Sequence, residues 1–200
     1  MDKRKLIIIG AGGCGREVFS ILDRDIYQCV GFFDIDKNIK NLPAPLLGNE
    51  TDIEMQIKNE AVNYFFIAIG DIKSRKLIHE KISRYNIQIP VINSSIESCF
   101  SNKIGYGSVV YPGCTIMSDC SVGNFSIVNS GVTLGHDVKI GNFCNINPGV
   151  NIAGNVCVGD NSLIGIGSTI RENIKIGKNS IIGAGSVVID DVSDKTTVYG

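Results

Sequence analysis

The 200-residue chain has no tryptophan, only five prolines and two histidines, and no surplus of either charge: nineteen Lys+Arg face twenty Asp+Glu, for a net charge of -1. Without a basic excess it has no electrostatic footprint for nucleic acid or an anionic membrane surface. Long apolar runs are missing too. The run Leu6–Ile9 in MDKRKLIIIGAGG reaches Gly10 after four residues, too short for a secretory h-region or a membrane span, so neither membrane insertion nor export is expected and the cytoplasm is the expected compartment. The seven cysteines are an odd number in such a chain and read as reduced thiols.

What the chain does have is glycine, 23 residues of it, spaced too regularly for a linker. From Ile104, every sixth residue is Ile, Leu or Val through Val188, fifteen positions without a break. Small or β-branched residues sit two places before them, as at Val138, Cys144, Val150, Val156, Ser162 and Ser180, so both side chains of a short strand point the same way. Glycine follows the aliphatic residue at 105, 123, 135, 141, 159, 165, 177 and 183, and Asn at 129 and 147. These residue types tolerate a left-handed backbone, which reads as a corner. Strand and corner in alternation at period six is the hexapeptide solenoid. Cys114, Cys120 and Cys144 fall on its inward small positions and read as packing rather than as metal ligands, whereas Cys157 falls outward without an assigned role.

The first half has no such period. Lys5–Ile9 reads as a strand, Gly10, Gly12 and Gly15 as a G-x-G-x-x-G turn, and REVFSILDRD as a helix with apolar Val18, Phe19 and Leu22 at helical spacing. Gly10 permits the tight turn, Gly12 lets a phosphate approach the backbone, and the helix N-terminus offers unpaired N–H groups to an anion. A second strand, Cys29–Phe33, ends at Asp34, where a ribose-binding acid would stand. A third, Tyr64–Ile69, ends at Gly70 before a helix expected to bury Leu77, Ile78 and Ile82. The expected organisation is a half-Rossmann α/β domain over 1–88, a linker over 89–103 and the solenoid over 104–200. That leaves no room for the second domain of a dehydrogenase.

Only two histidines can serve as bases. His79 lies in the helix after Gly70 and reads as an ordinary helix residue. His136 occupies a corner, is followed by Asp137, and stacks one coil below Gly154, eighteen residues on. An imidazole, an orienting carboxylate and a glycine N–H one rung away are the parts that acyl transfer from a thioester needs.

The motifs IIGAGGCGREV, VGFFDID, FFIAIGDIKSRKLIHEKIS and NSGVTLGHDVKIGNFCNINPGVNIAGNVCVGDNSLIGIGS resemble, end to end, the two-domain bacterial sugar acetyltransferases of the sialic-acid O-acetyltransferase-like group. Among these, the nucleotide-linked 4-amino-sugar N-acetyltransferases of the bacillosamine type are the nearest in pattern. The resemblance implies a left-handed parallel β-helix of about five coils, with the uncommon left-handed crossover, and a homotrimer. It implies His136 as base, Asp137 as its partner and Gly154 as oxyanion donor. It further implies acetyl-CoA as co-substrate on Asn145, Gly165, Ile166, Gly167 and Ala184, and a nucleotide-linked sugar on Gly12, Gly13, Cys14, Asp34, Ile35 and Gly70, with no metal. Lys175 and Lys178 are candidates for a CoA phosphate.

The expected activity is therefore N-acetylation of a nucleotide-linked amino sugar in surface polysaccharide or glycan synthesis; the alternative is sugar O-acetylation, as of a sialic acid. A metal-dependent hydratase on this β-helix would need about three histidine ligands at a subunit interface, and the solenoid contains one. A non-catalytic nucleotide-sugar sensor would bind nucleotide but not acetyl-CoA. Three departures stand out. Asn145 replaces a second histidine, Cys14 replaces the histidine common in the glycine turn, and relatives continue past TVYG with a proline-containing tail that would cover part of the CoA.

Overall fold

The computed structural model describes residues 2–60, 62–93, 97–98 and 101–200. The chain divides into two compact units, Met1–Ile92 and Asn93–Gly200.

In the first unit, β1 (Arg4–Ile9), β2 (Tyr27–Phe33), β3 (Leu46–Gly48) and β4 (Tyr64–Ile67) form a parallel sheet in the order β3-β2-β1-β4. The central strand β1 buries Leu6 through Ile9 almost completely, as a strand covered on both faces must. Helices α1 (Gly13–Ile21), α2 (Ile53–Glu60) and α3 (Ile72–Ile82) complete the unit. β3 and α2 both lie within the stretch NLPAPLLGNETDIEMQIKNE. Gly10 takes φ +103°, and a Cβ on Gly15 would lie 1.9 Å from the Gly10 carbonyl oxygen, so the third glycine of the turn lets helix and strand touch.

One expectation is corrected on α3. Leu77 is 52 % exposed, and the buried face carries Arg75 with Ile78 and Ile82. Spacings of three and four put those residues on one stripe, and a charge was not expected there.

The second unit is a β-helix of two-residue parallel strands. Fifteen of them run from Lys103–Ile104 to Val187–Val188, and each pairs with the strand eighteen residues away, as Thr133 does with Asn151 and Leu134 with Ile152. Three parallel sheets form the walls, and the aliphatic member of each strand from Val110 onward points into one continuous core.

The corners obey a rule other than the one expected. The left-handed residues are Gly107, Gly113, Asp119, Phe125, Gly131, Asp137, Phe143 and so on at every sixth position, two places after the glycines singled out above. Those earlier glycines serve close approach instead: a Cβ on Gly123 would lie 2.5 Å from Gly141 carbonyl atoms and one on Gly135 2.6 Å from the Gly154 nitrogen.

Inward small residues also supply donors. Ser126 Oγ donates to the Gly141 carbonyl at 2.8 Å, Cys144 Sγ to Gly159 at 3.2 Å and Ser162 Oγ to Gly177 at 2.7 Å. Cys120 Sγ does the same to Gly135 and Cys114 Sγ to Asn129. Cysteine and serine thus share one task, satisfying a corner carbonyl from within the core. Burial raises the Cys114 thiol pKa and pushes that of Cys29, in β2, up to about 11, which keeps both thiols protonated and unreactive.

Two stability predictions follow from this packing. Gly15→Ala should cost the α/β unit about 1–3 kcal/mol or more, read from loss of helical circular dichroism in urea, while Gly13→Ala, whose Cβ meets nothing within 4 Å, should leave that transition in place. Cys144→Ser should leave solenoid unfolding within about 1 kcal/mol of wild type, and Cys144→Ala should cost about 1–3 kcal/mol by removing the donor, both measured by calorimetry.

Candidate active site

Leu134 and Val138, both fully buried, anchor a corner that lifts Gly135, His136 and Asp137 out of the core. The backbone is pinned from neighbouring coils on both sides: Asp137 N–H donates to the Ser118 carbonyl at 3.0 Å, and the His136 carbonyl accepts from Asn155 N–H at 2.8 Å. Asp137 has φ +60°, and its Oδ2 stands 2.8 Å from His136 Nδ1. An ionised carboxylate only accepts, so in the neutral imidazole Nδ1 carries the proton and Nε2 keeps its lone pair.

Gly154, on the next coil, packs against this ring. A Cβ at position 154 would come within 2.6 Å of His136 Nε2, 2.7 Å of Cε1 and 3.0 Å of Cδ2. The absence of a side chain on Gly154 is therefore what allows the imidazole to lie across the next coil. Among the described residues the Gly154 N–H donates to no partner. At another corner the equivalent donors are capped by the following coil, Asn124 N–H by Asn142 Oδ1 and Asn142 N–H by Asp160 Oδ1, each at 2.8 Å. The His136 corner thus combines a basic nitrogen with a free amide donor, and in the single chain the His136 and Asp137 side chains are 67 % and 55 % exposed.

A second cluster sits on a different vertex. Ile166 is 59 % exposed, its carbonyl accepts from Gly185 N–H at 2.8 Å, and Gly167 N–H donates to Pro148 at 3.0 Å. Gly165 packs so closely on the next coil that a Cβ would lie 2.5 Å from the Ala184 nitrogen. These residues make a vertex of small and apolar groups with the Ile166 side chain exposed. Asn145 is buried on the wall that leads into this vertex, paired with Ile127 and Leu163. The wall carrying Thr133, Asn151 and Thr169 lies between this vertex and the His136 vertex, so one chain does not bring the two groups together. Lys175 and Lys178 belong elsewhere: Lys175 is on another wall, and Lys178 Nζ stands 3.7 Å from Asp160 Oδ2 at the third vertex.

In the α/β unit, Gly12 and Gly13 open α1, Cys14 follows, and Gly70 lies between β4 and the Asp71 cap of α3. A Cβ on Gly12, Gly13 or Gly70 would meet nothing within 4 Å, so the backbone there is an open surface at the C-terminal edge of the sheet. Asp34 acts first as a clamp, accepting Ala11 N–H at 2.7 Å through Oδ2 and Asp36 N–H at 3.0 Å through Oδ1. Beside it is a cavity of about 340 Å³ whose lining includes Asp34, Ile35, Ser74, Leu77 and Lys81. Leu77, expected in the core, lines this cavity instead, and Ser74 and Lys81 share the lining with no signal in the sequence beyond their place on the same helix.

The PglD N-terminal domain model matches residues 5–82, and the bacterial transferase hexapeptide model of six repeats matches residues 155–190. Among solved structures, the acetyltransferase domain of PglB from Neisseria gonorrhoeae FA1090 is 30% identical, with a TM-score of 0.90 over 99% of this chain and 97% of that one. PerB from Caulobacter crescentus, in complex with CoA and GDP-perosamine, is 28% identical, with a TM-score of 0.91 over 98% and 93% of the two chains. WeeI from Acinetobacter baumannii AYE is 25% identical, with a TM-score of 0.84 over 99% and 97%. A comparison with curated protein sequences gives no significant match. The solenoid is the left-handed β-helix of the hexapeptide acetyltransferases.

Gly154→Ala should displace the His136 ring without unfolding the coil, because the clash is with an exposed side chain and not with backbone. With two histidines in the chain, NMR should show one imidazole Cε1–H resonance moving while the other stays; two unmoved resonances would contradict the contact.

Proposed function

The chain belongs to the PglD/NeuD-like family of two-domain acetyltransferases, and from that premise we propose that it transfers the acetyl group of acetyl-CoA to the amine of a nucleotide-linked amino sugar. The observation that carries the mechanism is the His136 ring, held at Nδ1 by Asp137 and laid over Gly154. PerB, whose structure holds CoA with GDP-perosamine, and the PglB domain, solved with acetyl coenzyme A, support the choice of substrates.

The neutral amine attacks the thioester carbonyl, and the nitrogen–carbon bond forms as His136 Nε2 takes the amine proton. Asp137 fixes the tautomer and stabilises the imidazolium. The free Gly154 N–H donates to the oxyanion. Collapse breaks the carbon–sulfur bond, and the imidazolium returns its proton to the departing CoA thiolate, leaving amide and thiol in balance.

Acetyl-CoA would lie on Gly165, Ile166, Gly167 and Ala184, with Asn145 reaching its acyl end. Since those residues and His136 occupy different vertices of one chain, the site is completed by a neighbouring copy, and a homotrimer is the assembly that closes it. The α/β unit would hold the nucleotide sugar through Gly12, Gly13, Cys14, Asp34, Ile35 and Gly70. No described helix is long and apolar enough to cross a membrane, which suits the cytoplasmic location proposed for an enzyme that uses acetyl-CoA and nucleotide sugars.

His136→Ala should lower kcat by about 10²–10⁴ with folding and assembly unchanged, measured by CoA-thiol release against a panel of UDP-, dTDP- and GDP-linked amino sugars and free sialic acid. Near-wild-type turnover by that variant would remove His136 as the base. Activity on sialic acid alone would replace N-acetylation by O-acetylation.

A further inference from the structure

Arg75 is 1 % exposed, the largest of the fully buried side chains. It belongs to the first turns of α3, whose N-cap is Asp71. A cation near a helix N-terminus opposes the macrodipole, and burying it adds a desolvation penalty, so the position needs a compensating use. The structure shows where the guanidinium goes: Nη1 donates to the Ile69 carbonyl at 2.6 Å and to the Gly70 carbonyl at 3.0 Å. Asp71 turns its carboxylate to the helix end and accepts Ser74 N–H at 2.7 Å.

The segment that Arg75 grips abuts the glycine turn. A Cβ on Gly10 would lie 2.5 Å from the Ala68 carbonyl oxygen and 3.0 Å from Ile69 Cγ1. Continuous contact therefore runs from Arg75 through Ile69 to Gly10, and on to the open backbone of Gly12, Gly13 and Gly70. The edge formed by these segments carries the N-terminus of α1 and that of α3, the latter capped by Asp71, with Arg75 behind them and the Asp34 carboxylate on Ala11 N–H.

We propose that Arg75 is a positioning residue for nucleotide binding: its buried guanidinium holds the Ile69–Gly70 segment against the glycine turn and so fixes the edge that receives the nucleotide sugar. The proposal rests on the functional reading above for the nucleotide sugar and its place on the glycine turn; nucleotide binding can be tested apart from acetyl transfer.

The full-length protein, with Arg75→Met and Arg75→Lys, is titrated with UDP and GDP by calorimetry, and KM is measured separately for nucleotide amino sugar and for acetyl-CoA. The expected result for Arg75→Met is a rise of about tenfold or more in nucleotide Kd and nucleotide-sugar KM, with acetyl-CoA KM unchanged and kcat within about twofold. Arg75→Lys keeps the charge and a donor and should recover part of the loss, and it carries the test if the methionine variant does not fold. A folded variant with unchanged nucleotide Kd, or one in which both KM values move together, overturns the proposal. Nucleotide binding that depends on Arg75 without acetyl transfer by wild type would overturn the enzymatic reading and keep this one; wild type that binds neither UDP nor GDP overturns this one.

Discussion

The contact between the His136 ring and the bare Cα of Gly154 exists because each coil repeats after eighteen residues and stacks in register. In a parallel β-helix the neighbour of any side chain is chosen by that period, so a residue type at one position acts on the coil below it. A side chain at 154 would evict the imidazole, and a capping Asn or Asp there, as at 142 and 160, would compete with it for the same space. The corner works as a candidate site because one coil supplies the base and the next supplies no side chain.

The same register explains how an exposed polar group can be held accurately. His136 and Asp137 are largely open to solvent, yet their backbone is bonded to the coils on both sides. The core of stacked aliphatic residues, with serine and cysteine donors closing its corner carbonyls, keeps the vertex from moving. Orientation is thus set by the scaffold, and openness is left for substrate and for a neighbouring copy.

Much of this was legible in the sequence because the solenoid is nearly one-dimensional. Fifteen aliphatic positions at period six set the strands, the inward positions and the stacking of position 136 on 154. The reason for the glycines was not legible. Left-handed backbone and close coil approach both favour glycine, and only coordinates separate Gly135, which makes room for the next coil, from the left-handed Asp137 two places on. Legibility was lower in the α/β unit. β3 is three residues long, and the buried stripe of α3 contains an arginine that hydropathy assigns to the surface. Leu77, taken for core, lines the cavity beside Asp34. These failures share a cause: in a sheet wrapped by helices, burial depends on packing between elements and not on a repeat.

The most direct test of the central claim is the distance from His136 Nε2 to the acceptor nitrogen in a crystal of the assembled protein with CoA and a nucleotide-linked amino sugar. The account predicts a separation of about 3 Å, or a single bridging water, with the Gly154 N–H facing the acyl position of the CoA chain. An acceptor nitrogen beyond about 6 Å from the imidazole, or nearer to another basic group, would contradict it.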